Sequence, residues 1–202
     1  MIEVLQLKIS KLRLNNFLTS IFLNSKLKKL IYDVFKMRSK IIWFTGLSGS
    51  GKTTLSNHIS TILKKKFKIL KVDGDTFRKK KKINSFTKKA IIQNNISIIN
   101  YLNKKKHKYD YLLVSVISPL KKTRILAHKK FGSNYFEVHT NCNLRELIKR
   151  DTKKLYLKAK LKQIDNLIGY NSNIKYEKSK YKKITVNTAK ETINESGKKI
   201  LK

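Results

Sequence analysis

The segment Ile41-Ile-Trp-Phe-Thr-Gly-Leu-Ser-Gly-Ser-Gly-Lys-Thr-Thr54 limits the fold more than any other part of this chain. An apolar run ends at Gly46. Gly46, Leu47, Ser48, Gly49, Ser50, Gly51, Lys52 and Thr53 then satisfy G-x-x-x-x-G-K-[ST], the phosphate-binding P-loop pattern. The spacing has a mechanical basis. Glycines let backbone N–H groups curl around phosphate oxygens, Lys52 brings positive charge to the terminal phosphates, and Thr53 offers a hydroxyl to Mg²⁺. Thr54 completes the cradle as a helix begins, with Leu55, Ile59, Ile62 and Leu63 as the predicted core face. Residues 46–54 are therefore expected to bind ATP between a strand and a helix.

Downstream, short apolar runs alternate with helical segments. Phe67 to Val72 reads as a second strand, followed by Asp73-Gly-Asp75. Thr87 to about Asn103 is predicted helical, with Ile92, Ile96 and Ile99 as its face. Tyr111 to Ile117 is apolar apart from Ser115, the kind of strand that a parallel sheet buries on both faces. Ser118-Pro119 ends it, a helix is predicted over Lys121 to Lys130, and Tyr135 to Val138 makes a fourth strand. Leu144 to Leu161 reads as largely helical, and Ile184 to Val186 as a last strand before a short tail. This alternation predicts an α/β fold of the P-loop nucleoside-triphosphate hydrolase type: a mostly parallel five-stranded sheet, right-handed crossovers, helices on both faces and a helical lid.

The position of the carboxylates narrows the chemistry. GTPases and motor-type ATPases place an acidic residue at the carboxyl end of a later apolar strand to hold Mg²⁺. Leu112 to Ile117 has none there, and Asp110 stands at the wrong end. Asp73 and Asp75 instead follow the second strand, at the sheet edge where ligands bind in such folds. One carboxylate placing the metal and one orienting or deprotonating an acceptor hydroxyl suit a small-molecule kinase. A plain turn is the alternative for Asp-Gly-Asp.

The charge needs its own account. Against 12 acidic residues stand 48 basic ones, a net charge of +36, which ordinarily suggests a polyanionic partner. Only six of the basic residues are arginine, however, and the lysines run along the whole chain instead of forming one arm. Lys, Ile, Asn, Tyr and Phe run high while Gly, Pro, Ala and Arg run low, as AT-rich coding imposes. No specific nucleic-acid partner is expected, and RNA adhesion at low salt would be incidental. The single cysteine, Cys142, excludes an internal disulfide and a CxxC metal site and fits a reducing, cytoplasmic setting. No apolar stretch approaches the roughly 18 residues of a membrane span.

Residues 1–39 are read as a basic amphipathic extension preceding a kinase domain over 40–202. Membrane-surface, targeting and packing roles are open to it, a packing or accessory role being preferred. Its one arginine before Lys36, Arg13, argues against a transit peptide, and Met37 offers an alternative start of translation.

Several blocks together resemble the adenylylsulfate kinase family. They are Trp43 to Thr54, Asp73-Gly-Asp-Thr-Phe-Arg78, Val114-Ser-Val-Ile-Ser-Pro119 with Arg124, and Phe136-Glu-Val138. Arg150-Asp-Thr-Lys-Lys-Leu-Tyr156 with Lys158-Ala159, and Gly169 followed by Tyr176-Glu177, complete the set over about Ile41 to Thr188. The resemblance implies ATP- and Mg²⁺-dependent phosphorylation of the ribose 3′-hydroxyl of adenosine 5′-phosphosulfate. It assigns Asp73 to the metal site with Thr53, and Asp75 to the acceptor hydroxyl. Arg78, Phe86, Asn94, Ile117, Ser118 and Pro119 go to the acceptor pocket, and Arg150 and Lys153 to a lid over ATP. The expected partner is this nucleotide, with a homodimer as a further option.

Three departures from the family pattern stand out. Ala90-Ile91 occupies the place of an Asp-Arg pair whose arginine helps bind the sulfated nucleotide. A lysine run replaces Gly-Leu-Asn between Arg78 and Phe86, and Thr152 and Lys154 replace a proline and a glycine in the lid. Lysine supplies charge without the fork geometry of arginine. Two alternatives therefore stay open: a kinase of the same fold acting on another anionic hydroxyl compound, and a basic nucleotide- or nucleic-acid-binding protein without turnover.

Overall fold

Five strands and the helices between them build one parallel sheet in the computed structural model, which describes residues 39–202 except Asn84. The extension read over residues 1–39 lies, apart from Ser39, outside the described residues. In chain order the elements are β1 (Lys40–Thr45), α1 (Lys52–Leu63), β2 (Ile69–Asp73), α2 (Gly74–Lys80), α3 (Lys88–Lys105) and β3 (Tyr111–Ser115). They continue with α4 (Lys121–Phe131), β4 (Tyr135–Asn141), α5 (Leu144–Arg150), α6 (Leu155–Lys160), β5 (Ile184–Asn187) and α7 (Ile193–Leu201). The strand order is β2-β3-β1-β4-β5, every neighbouring pair parallel, as the alternation of strand and helix requires.

Successive residues of β1 feed opposite faces of the sheet. Ile41 and Trp43 join Leu112, Val114, Val72, Ile98, Leu102 and Phe131 beneath α3 and α4. Ile42 and Phe44 join Leu113, Val138 and Val186 against Leu55, Ile59 and Leu63 of α1 and Ile200 of α7. A strand buried on both sides is apolar throughout, which is why β1 and β3 stand out in the sequence. The register aligns Phe44 with Ser115 and Ser115 with Asp73, so the mouth of the P-loop and the end of β2 lie level at one sheet edge. Two strand spacings separate them, about 10 Å.

Some predicted details are corrected. Ile62 is 41% exposed; Ser56 and Ser60 turn inward with Leu55, Ile59 and Leu63. The buried face of α3 is Ile91, Asn94, Asn95, Ile98, Ile99 and Leu102, while Ile96 faces solvent. Overlapping isoleucine stripes satisfy the helical period there, and contact with the sheet selects one of them. Phe67 lies outside β2 and sets its exposed ring edge-on against Tyr111. The helix predicted over 144–161 is two helices, because the Asp151 carboxylate turns to accept from the N–H groups of Tyr156 and Leu157 and so caps α6.

The predicted tail is instead α7. A capping box closes its start: Thr192 accepts from the N–H of Glu195, whose carboxylate accepts from the N–H of Thr192. Gly197 lets it lie against α1, since a Cβ there would come within 2.7 Å of the His58 ring. Among the described residues no helix is long and apolar enough to cross a membrane.

Candidate active site

The P-loop leaves β1 through Gly46, whose φ of +149° and lack of room define the turn. A Cβ there would sit 2.4 Å from Thr140 Oγ1 and 2.6 Å from the Thr140 carbonyl oxygen. Thr140 fixes the loop from the neighbouring strand, meeting Ser50 Oγ at 2.6 Å and donating to the Thr45 carbonyl at 3.1 Å. The loop ends at Gly51 in the left-handed conformation, with no side chain capping α1 and no acidic residue in its first turn. The first amides of α1 are thereby left for an anion, and the helix dipole favours one there.

Lys52 Nζ donates to the Leu47 carbonyl at 2.6 Å, so the ammonium lies inside the loop it serves. Burial pulls its pKa down to about 8, with Lys153 adding to the fall and Asp75 and Asp73 opposing it. A charge kept so poorly solvated gains from an incoming phosphate.

The carboxylates beyond β2 divide their tasks. One oxygen of Asp73 accepts from the N–H groups of Asp75 and Thr76, capping α2, and the other accepts from Thr53 Oγ1 at 3.1 Å. This convergence of a carboxylate and a hydroxyl at the phosphate end suits a hard divalent cation such as Mg²⁺, which keeps water and phosphate oxygens as its other ligands. No group of three or more His, Cys, Asp or Glu side chains that would hold a metal occurs among the described residues. Asp75 faces the crevice and receives Lys153 Nζ at 2.6 Å across half-exposed side chains. Burial pushes its carboxyl pKa up, but the hydrogen bond and charge of Lys153, with Lys52 and Arg78 adding, bring the net shift below the ordinary value.

A cavity of about 360 Å³ joins these groups. Ser48, Gly49, Gly51, Lys52, Thr53, Thr54, Asp73, Asp75, Ile117, Arg150 and Lys153, all expected from the sequence, line it. Gly46, Leu47 and Ser50 build the loop behind it. Thr188, Thr192 and Ile193 form a part of the wall that sequence reasoning missed. The signal for it was Thr192-x-x-Glu195, the capping-box spacing that announces a helix at this edge. Arg150 ties the lid to that wall, donating to the Thr188 carbonyl at 2.6 Å and to Glu146 at 3.0 Å. Tyr156 of α6 donates its hydroxyl to the Ser48 carbonyl at 2.9 Å, holding the lid against the P-loop.

Arg78, Phe86, Asn94, Ser118 and Pro119 stand outside this cavity's lining. Arg78 bonds the Ser85 carbonyl and lies 4.7 Å from the centre of the Phe86 ring, which is 44% exposed and hence not a core aromatic. Asn94 is 1% exposed with its carbonyl oxygen unpartnered, hence not a solvated helix position. Ser118 is buried with φ +44°, next to the buried Pro119. Ile91 packs with Leu120 and Ile168, so an apolar contact occupies the place of the family's arginine.

The family model described as adenylylsulphate kinase matches residues 38–187. An adenylyl-sulfate kinase of Halothermothrix orenii is 35% identical over 162 residues, covering 79% of this chain and 86% of that relative. A cytidine diphosphoramidate kinase of Campylobacter jejuni is 31% identical over 163 residues, covering 80% and 94%. Among solved structures, the Mycobacterium tuberculosis APS kinase CysC in complex with AMPPNP and APS superposes with a TM-score of 0.74 at 28% identity, covering 81% of this chain and 96% of that one. By its P-loop, its paired aspartates and a family match over most of its length, this chain is a member of the adenylylsulphate kinase family.

Proposed function

We propose that the protein transfers the γ-phosphate of ATP to the ribose 3′-hydroxyl of adenosine 5′-phosphosulfate, giving 3′-phosphoadenosine 5′-phosphosulfate. The observation that carries this reading is the placement of Asp75 in one cavity with the P-loop, inside a chain of this family. The acceptor oxygen attacks Pγ, the bond from Pγ to the ADP oxygen breaks, and the hydroxyl proton passes to Asp75. The P-loop amides and Lys52 hold the transferring group and the leaving diphosphate. Thr53 and Asp73 would hold Mg²⁺, which when bound neutralises phosphate charge.

Lys153 pairs with Asp75 at 2.6 Å and has phosphates as its second partner. Its transfer from carboxylate to phosphate leaves Asp75 a stronger base when both substrates are present. Arg78 and the exposed Phe86 ring receive the acceptor, the ring stacking on its base, with Asn94 and Ile117 to Pro119 as the opposing wall.

Two observations bear on a second reading, transfer to another anionic nucleotide. Ile91 gives the acceptor no guanidinium, and the Campylobacter relative is named for cytidine diphosphoramidate. Coupled ADP release with Mg-ATP and each acceptor decides between them. Turnover with adenosine 5′-phosphosulfate well above the ATP-only background is expected. Background rates with it, beside turnover with a cytidine nucleotide, would transfer the assignment to the second acceptor.

A further inference from the structure

Arg124 is among the largest fully buried side chains of the described residues, and its contacts converge on the turn after β3. Its guanidinium donates to the Ser118 carbonyl and to the Glu177 carbonyl, each at 2.5 Å, and lies 3.3 Å from the buried Glu137 carboxylate. It also faces the Tyr176 ring at 5.0 Å, whose opposite contact is the His139 ring, 5.1 Å away and 18° from parallel. The Tyr176 hydroxyl meets Thr45 Oγ1 at 2.9 Å, and Thr45 donates to the Ile117 carbonyl at 2.5 Å, directly before the P-loop.

A strap over residues 174–179 is thereby sewn onto the turn. Glu177 donates its N–H to the Pro119 carbonyl at 2.9 Å and accepts the first amide of α4, from Lys121, at 2.6 Å. Ser179 donates to Glu137 at 3.0 Å, and Ile174 packs with Leu120 and Ile117. Ser118 keeps a left-handed φ of +44°, a conformation that a serine holds only when its surroundings fix it. The guanidinium fork donates to two carbonyls while its charge lies beside the Glu137 carboxylate without a hydrogen bond to it, and a lysine ammonium on a single stem does not reproduce the two-carbonyl grip.

We propose that Arg124 is a positioning residue for the acceptor: it clamps the 174–179 strap onto Ser118 and so sets the wall against which the acceptor nucleotide binds, without touching either substrate. This rests on the acceptor side assigned to Ile117–Pro119 above. The phosphates of the donor are assigned to the P-loop amides and Lys52, which lie outside the contacts of Arg124, so loss of the clamp should fall more heavily on the acceptor than on ATP.

Two variants that keep the core filled test it, Arg124→Lys, which retains the cation beside Glu137, and Tyr176→Phe, which removes only the hydroxyl. In Arg124→Lys the KM for adenosine 5′-phosphosulfate is expected to rise about tenfold, with ATP affinity, read by binding of a fluorescent ATP analogue, within about twofold of the parent. Tyr176→Phe is expected to raise the same KM about threefold. Limited trypsin digestion reads the strap without any acceptor: cleavage after Lys175, Lys178 and Lys180 should quicken in Arg124→Lys more than cleavage within the sheet, beyond what the few-degree fall in overall melting temperature accounts for. Unchanged strap cleavage, an unchanged acceptor KM, or equal loss of both substrates would overturn the proposal. If the parent protein does not turn over this acceptor, the assigned substrate fails and the digestion still decides whether Arg124 holds the strap.

Discussion

The phosphate cradle and the acceptor side face each other across the ends of β1 and β2, but they are held by different means. In the cradle the backbone is the working part, and tertiary contacts such as Thr140 against Gly46 leave it little freedom. Opposite it, the groups proposed to receive the acceptor are held by side-chain contacts: Asp75 engaged by Lys153, Arg78 resting on Phe86, and a turn at Ser118 bonded by Arg124. A backbone-built site tolerates little variation and repeats across many proteins. A site built from side chains can change its substrate by exchanging one of them.

The largest effect expected from this contrast is at Lys52. Lys52→Ala should lower turnover at least about a thousandfold in the coupled ADP assay, since no neighbour replaces a charge aimed from within the loop. A rate within tenfold of the parent would remove the cradle from the reaction. The same lysine gives the cradle a pH dependence. With its pKa near 8, the free protein carries the cation below that pH and loses it above, so ATP affinity should weaken as pH rises through 8.

On the acceptor side, Asp75→Asn should leave ATP binding intact and reduce transfer by about 10² to 10⁴. Lys153→Ala should cost less, about tenfold in kcat, and should move the acid limb of kcat/KM, which reports the free protein, upward in pH. Asp75 then loses the partner that lowers its pKa, while burial continues to raise it, so the carboxylate protonates sooner as pH falls. An unmoved acid limb in Lys153→Ala would show that this ion pair does not govern the base.

The smallest effect tests the lid alone. Lys154 starts α6 with φ +53°, at a position where the family pattern has glycine. Lys154→Gly should stabilise the fold by up to about 1 kcal/mol, read as a higher denaturant midpoint at constant slope. A loss of stability would mean that the lysine side chain holds the turn.

How far the sequence revealed these regions follows the same division. The cradle was legible because its geometry needs fixed residue types at fixed spacing, and β1 and β3 because burial on both faces leaves only apolar residues. The role of Arg124 was not legible, because its partners Ser118, Glu137 and Glu177 are brought together only by the sheet and the strap. Neither was the inward face of α3, where the structure buries Asn94 and Asn95 in preference to Ile96. The helix at 193–201 was missed because few of its residues are apolar; Gly197, a poor helix former, is there for close packing on His58.

The bond from Thr188 Oγ1 to the Ser50 carbonyl, 3.1 Å long, closes a loop of 138 residues. With Arg150 on the Thr188 carbonyl, it makes the nucleotide cavity a meeting place of segments far apart in the chain. Closing such contacts costs the entropy of the intervening chain. A nucleotide that engages both walls acts as a reversible cross-link on the folded state, worth about 2.7 kcal/mol at a hundred times its Kd. A bound nucleotide thus adds to the stability of the fold that holds it.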